Sequence, residues 1–505
     1  MNAKDKGQVV QNIIWSFIGT SLSYLVTFFL TPYITDALGV EAYGFITLAH
    51  TFTTYIDIVA VALNAFAARY IAIEYHNKRY DVANSYFSSI LVANVVLVVL
   101  ILIPGGLAVN RLERLINIPV NLVSDVKALF IVVLLNYCVN IFGTLYSAIA
   151  FIKNKTSITY RNKGLSSLLY LVLILLTLEF LRFKLYSMAI CTLISTCLYL
   201  LMNIYYARKL IPEIVFSKSV LSVTKVKQVL GSGIWNSFNN IGAVLNNGLD
   251  LLVTNKLLDN VAMGEISIAK QISSIFHAVI VLFVNSLHPK LLEYYSKNEK
   301  EKIVDTIQVT FRITAFLTAT IAGGYCLLGR SFLSMWIGSQ NIDVILVIGL
   351  ITFAGDVIQS NCRPVFYIFT LTDKLKWVCF FNILTGLTNF IIMVSLIKMF
   401  SVGKYAIVLS TLIAYILYSW ITPFLAEKFL DVKHGEFLKS ISINILFTMI
   451  ECAVLFKIGN SIVLSSWKAL FVYGFVFALA LMIINGFIYL RRKDRESVMA
   501  VIRRR

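Results

Sequence analysis

Long apolar stretches follow one another along almost the whole of this 505-residue chain, and short polar segments separate them. Each stretch is close to the ~20 residues that a helix needs to cross ~30 Å of hydrocarbon. Because the runs are continuous and do not alternate as barrel strands do, they predict an all-α integral membrane protein. We predict about 14 transmembrane helices, at residues 10–35, 43–68, 84–108, 126–150, 164–181, 185–207, 228–255, 264–289, 303–329, 343–370, 375–397, 405–426, 440–456 and 467–490.

Composition and charge agree with a membrane protein. Of all residues, 58% are hydrophobic and 14% are charged, whereas about a quarter are charged in soluble domains. With the N-terminus inside, the inner segments hold 30 of the 44 Lys and Arg residues and the outer segments hold 11. Cytoplasmic loops carry such an excess, so both termini are predicted to be cytoplasmic. The net charge of +18 then needs no nucleic acid partner, although the basic tail from Arg491 can also contact anionic membrane lipids.

The polar segments offer no chemistry for catalysis. The longest lie at residues 109–125, 208–227 and 427–439. None contains a phosphate-binding glycine loop, a metal-like spacing of His and Cys, or a nucleophile elbow. We therefore predict that the chain is not an enzyme and has no metal site and no cofactor.

An internal repeat appears when the chain is compared with itself at an offset of 220 residues. Seven identical pairs align without a gap: Trp15 with Trp235, Leu25 with Leu245, Leu38 with Leu258, Ala42 with Ala262, Gly44 with Gly264, Ile46 with Ile266, and Ala49 with Ala269. Spans 1 and 7 run in the same direction, so the repeat is parallel. It predicts an N-lobe of six helices at residues 1–209, a cytoplasmic linker at 210–227, a C-lobe of six helices at 228–428, and two further helices with the basic tail at 429–505.

The opening segment carries a family resemblance. It has Gln11-Asn12 before Trp15, Thr31-Pro32-Tyr33 at the end of the first span, and then Leu38-Gly39-Val40-Glu41-Ala42-Tyr43-Gly44. With the span count and the repeat, this segment resembles the Wzx-type polysaccharide-unit flippases. These are O-antigen and capsular polysaccharide transporters of the multidrug/oligosaccharidyl-lipid/polysaccharide (MOP) exporter superfamily.

The resemblance implies a MATE-like fold with a central cavity, in the bacterial inner membrane. It implies an antiporter that moves an undecaprenyl-diphosphate-linked oligosaccharide from the cytoplasmic to the periplasmic leaflet by alternating access, with H⁺ or Na⁺ as the coupling ion. The candidate protein partners are the polysaccharide polymerase and chain-length proteins.

Span 7 has the most polar face of all the spans. On a continuous helix, its residues Asn236, Asn240, Asn247 and Asp250 lie within about 80° of one another. Span 1 has a milder polar stripe that includes Asn12 and Thr20. We expect both faces to line a hydrated cavity that accepts sugar hydroxyls. The alternative is that these side chains bridge packed helices.

Cations close to the cavity are expected because a diphosphate brings negative charge into a low-dielectric space. Lys270 lies about two turns into span 8, where the resemblance also implies a cavity cation. Arg69 closes span 2 near the cytoplasmic side, where it is placed either to meet a headgroup or simply to reach the interface. We predict both as substrate-binding residues.

Ionisable residues inside spans are costly and therefore mark candidate functional sites. The candidate acids are Asp57, Asp250, Asp356 and Glu451. We predict Asp57, Asp356 and Arg363 as ion-coupling residues; a structural pairing with neighbouring helices is the alternative for the last two. Pro364 predicts a kink beside them, and Arg312 is a candidate partner for an intramembrane acid.

Three other functions stay open at this point. A drug or metabolite exporter of the same superfamily would have a narrow, aromatic and acidic cavity. An integral-membrane glycan polymerase or ligase would need a long outer loop with reactive residues, and the predicted loops are short. A scaffold without transport activity in a glycan assembly complex is the third.

Overall fold

The computed structural model describes residues 3–180, 184–285, 287–338 and 340–496, and contains helices and no strand among them. Arg182 and the basic tail beyond residue 496 lie outside the described residues. The first ten helices are α1 (Ala3–Leu38), α2 (Val40–Asn64), α3 (Ala67–His76), α4 (Tyr80–Asn110), α5 (Leu112–Leu115), α6 (Val123–Ile152), α7 (Thr156–Phe180), α8 (Ser187–Leu210), α9 (Val223–Ala243) and α10 (Asp250–Leu257). The others are α11 (Asn260–Asn285), α12 (His288–Ser296), α13 (Lys300–Trp336), α14 (Ile342–Cys362), α15 (Phe366–Leu371), α16 (Leu375–Lys398), α17 (Tyr405–Leu430), α18 (Glu436–Gly459) and α19 (Trp467–Tyr489).

Within the described ranges, four short segments have 3₁₀ or π-helical geometry. Single 3₁₀ turns occupy Val120–Leu122, Lys218–Val220 and Arg363–Val365, and a π-helical turn occupies Val244–Gly248. The 3₁₀ turn at Arg363–Val365 separates α14 from α15 and contains Pro364. Proline removes a backbone donor, so the predicted kink is confirmed here.

Twelve helical segments within the described residues are long and apolar enough to cross a membrane. Predicted spans 7 and 8 are not among them. Span 7 is divided into α9 and α10 by the π-helical turn, and α11 carries Glu265, Lys270 and His277 among its apolar residues. The multi-pass, all-helical class is confirmed, and the count of 14 stays a prediction.

The distribution of polar and apolar side chains is that of a protein folded in lipid. On α19, for example, Phe471, Phe475 and Phe487 are 67–70% exposed, whereas Asn485 of the same helix is fully buried. Helices satisfy their own backbone hydrogen bonds, so their apolar faces can meet lipid while polar side chains pair inside.

The chain forms two compact units by its contacts. Unit 1 comprises the residues up to Val244 together with Gly248–Gly264. Within it, α1 packs against α7, α6 against α8, and α2 against α9. The α2–α9 crossing is very close, since a Cβ added at Gly233 would lie 2.0 Å from the carbonyl oxygen of Ala62.

Unit 2 comprises Leu245–Asn247 and the residues from Glu265 onward. Its central helix is α13, which packs against α14, α18 and α19, while α17 packs against α14 and α16. The predicted linker at residues 210–227 lies inside unit 1, as does all of α9. The division into six, six and two helices remains a prediction.

Candidate functional site

A polar cluster around one carboxylate, Asp57, lies inside unit 1, where α2, α6 and α9 meet. Asp57 Oδ1 accepts a hydrogen bond from the Tyr137 hydroxyl at 2.8 Å, and Asp57 Oδ2 accepts one from the Asn240 amide at 3.4 Å. Asp57 and Asn240 are partly buried, and Tyr137 is buried. Both donors are neutral, and no salt bridge to Asp57 occurs among the described residues. An acidic side chain with such partners inside a span is a candidate site for a small cation or a proton.

The π-helical turn at Val244–Gly248 interrupts the polar face of span 7. Such turns leave backbone groups without their usual helical partners, and they are frequent at functional sites. In unit 2, the Asn246 carbonyl accepts a hydrogen bond from the Asn389 amide at 2.7 Å. In unit 1, the Gly248 carbonyl accepts one from the Tyr55 hydroxyl at 2.5 Å. Side chains thus satisfy backbone carbonyls within the break.

The polar stripe predicted for span 7 assumed a continuous helix, and the π-helical turn interrupts that helix at Val244–Gly248. Asn236 is exposed, and Asn240 binds Asp57. Asn247 exchanges hydrogen bonds of 3.2–3.3 Å with the Tyr415 hydroxyl, within unit 2. Asp250 is fully buried at the start of α10, where it interacts electrostatically with Tyr55.

A stripe of charged and polar residues joins α11 to α14 within unit 2. The Ser273 hydroxyl donates to Asp356, and a guanidinium nitrogen of Arg363 lies 2.7 Å from His277 Nε2. Guanidinium only donates, so the histidine nitrogen accepts. Lys270, one turn before Ser273, interacts electrostatically with Asp356. We call Lys270, Ser273, His277, Asp356 and Arg363 the α11–α14 stripe.

The α11–α14 stripe follows from helical spacing. Asp356 and Arg363 are seven residues apart, on α14 and in the turn that ends it, and Ser273 and His277 are four apart on α11, so each pair shares one helix face. The stripe contains two cations, Lys270 and Arg363, and one acid. The stripe therefore has a net positive formal charge whether Asp356 is ionised or protonated. Such a stripe can hold an anionic group in a low-dielectric setting.

Three other predicted residues are placed elsewhere. Asn12 of α1 donates to the Asn154 carbonyl at 2.8 Å and accepts from the Ser157 backbone at 2.9 Å, so it ties α1 to the start of α7. Thr20 is partly buried on α1. Arg69 is exposed on α3, with its guanidinium carbon 5.9 Å from the centre of the Phe66 ring. Asn12 therefore connects two packed helices, which is the alternative considered above for the polar stripe of span 1.

The partner of Arg312 is an acid that sequence reasoning did not consider. Its guanidinium donates two hydrogen bonds to Asp494, from Nε at 2.7 Å and from a terminal nitrogen at 3.2 Å. Asp494 lies beyond the end of α19, so the expected intramembrane acid was the wrong partner. A second ion pair, with a buried acid, joins Lys404 to Glu265 at 2.6 Å.

Tyr137 and Tyr415 also escaped sequence reasoning. A tyrosine in an apolar span reads as a core aromatic residue, and its partner lies 80 or 168 residues away in the chain. Nothing in a single sequence marks such a pair.

Comparison with solved structures shows that the fold is a known one. The chain aligns with the lipid II flippase MurJ in an inward closed conformation over 94% of its length and 98% of MurJ, with a TM-score of 0.72 and 14% identity. It aligns with an inward-facing multidrug resistance MATE transporter of the MOP superfamily over 88% of its length and 99% of that chain, with a TM-score of 0.66 and 14% identity. The chain therefore shares the fold of these two transporters.

The family follows from the sequence match. Residues 9–294 match the polysaccharide biosynthesis protein family, and the chain belongs to that family. It is also 25% identical over 485 residues to EpsK of Bacillus subtilis (strain 168), described as an uncharacterized membrane protein, with 96% of each chain covered. The resemblance to polysaccharide-unit transporters is confirmed, and family and fold are those of transporters rather than of catalytic enzymes.

Proposed function

We propose that this protein is a flippase for an undecaprenyl-diphosphate-linked oligosaccharide, moving it from the cytoplasmic to the periplasmic leaflet by alternating access. The observation that carries the proposal is the α11–α14 stripe, in which Lys270 lies on α11 and Arg363 lies in the turn that ends α14. The chain that contains it belongs to the polysaccharide biosynthesis protein family. A diphosphate crossing a membrane needs cations along its path. Lys270 and the guanidinium of Arg363 supply them.

The hydroxyl-rich part of the substrate needs a different surface. Within unit 2 the Asn247–Tyr415 pair offers uncharged donors and acceptors, which suit sugar hydroxyls. Within unit 1, separately, exposed Asn236 offers an amide of the same kind. The proposal also retains Asp250 and Arg69 as substrate-binding residues, the role predicted for them from the sequence.

Ion coupling has a separate candidate in each unit. Asp57 in unit 1 and Asp356 in unit 2 are carboxylates within spans, each hydrogen bonded to neutral side chains. Binding of H⁺ or Na⁺ at either acid would change the charge of its helix bundle and so bias one conformation over another. The protein would work in the bacterial inner membrane, with both termini cytoplasmic, as the Lys and Arg distribution predicts.

The test is complementation of a strain that lacks its own polysaccharide-unit flippase. Lys270→Ala should lower surface glycan and cause lipid-linked precursor to accumulate. The transport rate should fall about 10- to 150-fold if one charge-assisted contact worth ~1.5–3 kcal/mol is lost. Lys270→Arg keeps the charge and should retain part of the activity. Lys439→Ala, at an exposed position on α18, is the matched control and should behave like the wild type.

Two outcomes would contradict the proposal. Full surface glycan with Lys270→Ala at normal membrane levels would refute the role of the stripe. A wild-type protein that reaches the membrane yet restores no glycan, while conferring resistance to cationic drugs, would favour the drug-exporter alternative.

A further inference from the structure

Helices α13, α18 and α19 of unit 2 enclose a buried polar cluster that the proposed transport path does not use. The Asn485 amide nitrogen on α19 donates to Glu451 Oε1 on α18 at 3.0 Å and to Thr320 Oγ1 on α13 at 3.2 Å. Asn485 is fully buried, and Glu451 is partly buried. We call these three residues the Glu451 cluster.

The hydrogen bonds of the Glu451 cluster are incomplete in one specific way. Both N–H donors of the Asn485 amide are used, one toward each partner. Two acceptors, Glu451 Oε2 and Asn485 Oδ1, are buried and have no hydrogen-bond partner among the described residues. A buried acceptor without a donor is costly, and here two of them belong to side chains that already contact each other.

A single proton would satisfy both acceptors. A protonated carboxyl group carries one O–H donor beside its carbonyl oxygen, and a primary amide offers the complementary N–H and C=O. We infer that Glu451 binds a proton on Oε2 and donates it to Asn485 Oδ1, closing a cyclic acid–amide pair. The Glu451 cluster is thus a proton-binding site within the membrane; the proton comes from water and returns to water, and no other reactant is consumed.

A proton fits the cluster better than a metal ion does. Glu451 Oε1 and Thr320 Oγ1 already accept N–H groups, which leaves two open oxygens, whereas hard metal ions take shells of about six oxygens. Three titratable side chains that interact with Glu451 are Cys326, Cys452 and Tyr489. None of them supplies a positive charge.

The surroundings make the charged form unfavourable. A Cβ added at Gly323 would lie 2.8 Å from a methyl carbon of Leu455, 3.3 Å from Glu451 Oε1 and 3.7 Å from a methyl carbon of Leu481. The carboxyl group therefore lies against α13 beside two leucines. Loss of the proton would leave a negative charge facing the Asn485 carbonyl oxygen, so alkaline pH should weaken the packing of α19 on α13 and α18.

Infrared difference spectroscopy tests the inference directly. The purified full-length protein is placed in lipid nanodiscs at neutral pH, and its spectrum is compared with that of Glu451→Gln. We expect the wild type to show a protonated-carboxyl C=O band that shifts in D₂O and is absent from Glu451→Gln. Glu436→Gln changes the first residue of the same helix, α18. It serves as the matched variant and should keep the band.

A second variant, Asn485→Leu, keeps the inference testable if Glu451→Gln fails to fold. Asn485→Leu removes the amide partner while keeping Glu451, so the band should remain but move to the frequency of a carboxyl group without that hydrogen bond. Thermal unfolding adds a pH readout: the wild-type Tm should fall from pH 6 to pH 9 by more than that of Glu451→Gln. A wild-type spectrum identical to that of Glu451→Gln, or a band that Asn485→Leu leaves unmoved, would overturn the inference.

Discussion

Replacing Asp494 with asparagine should release the segment after α19 from α13. The Arg312–Asp494 pair has two hydrogen bonds, at 2.7 and 3.2 Å, and the side chains are 15% and 9% exposed. Breaking a buried pair from one side costs ~3–5 kcal/mol, and the residual exposure of Arg312 reduces this to about 2–3 kcal/mol. The local opening equilibrium should therefore rise about 30- to 150-fold.

Hydrogen exchange of the backbone amides of residues 491–496 measures that opening, because amides exchange when the segment unfolds locally. Glu496→Gln is the matched control. It breaks the Arg492–Glu496 pair nearby, whose side chains are 88% and 64% exposed, so the expected change is ~0–1 kcal/mol, or at most about fivefold. Equal exchange in the wild type and Asp494→Asn, or equal effects of the two variants, would refute the reasoning.

The pH dependence of the same pair has a defined sign. Burial disfavours the Asp494 carboxylate, but the hydrogen bonds and charge of Arg312 outweigh it, so the pKa of Asp494 lies below its ordinary value. The pair's contribution is fully present above the ordinary aspartate pKa and is lost as the pH falls through the lowered value. Exchange corrected for its intrinsic pH dependence should show this loss in the wild type and not in Asp494→Asn.

Two further predictions concern packing within unit 1. A Cβ added at Gly264 would lie 2.1 Å from the Val40 carbonyl oxygen, so Gly264→Ala should lower the folded yield in membranes by a cost of ~1–3 kcal/mol or more; Gly106→Ala, with open space around it, should not. Asn255→Leu should lower the thermal midpoint in detergent, because fully buried Asn255 exchanges hydrogen bonds of 2.8–2.9 Å with the backbone and side chain of Asn117; an unchanged midpoint would contradict this.

Helix positions were predictable because the bilayer imposes a length and an apolar composition on each crossing segment. The predicted span 185–207, for example, corresponds to Ser187–Leu210, and 467–490 corresponds to Trp467–Tyr489. The internal repeat itself remains a prediction. Gly44 and Gly264, equivalent at an offset of 220, lie in direct contact, since a Cβ added at Gly44 would be 2.9 Å from the Gly264 nitrogen.

The break in span 7 was missed because hydropathy does not register a change of hydrogen-bond pattern. Asn247-Gly248 is a turn-favouring dipeptide and was the available signal. Its stabilisation depends on Tyr55 and Asn389, which are distant in sequence. The partners of Asp57 and Arg312 were unpredictable for the same reason: a single sequence shows which residues are costly to bury, and only the packing shows what satisfies them.

The proposed function is the movement of a lipid-linked oligosaccharide across a bilayer. The most direct measurement uses the purified protein in vesicles containing fluorescent undecaprenyl-diphosphate-linked oligosaccharide, and follows how much label a membrane-impermeant quencher reaches. In protein-free vesicles only the outer-leaflet share should be quenched. We expect the protein to make nearly all of the label accessible, and Lys270→Ala at equal density to slow this change. Quenching that stays at the protein-free level would show that the protein does not move this lipid.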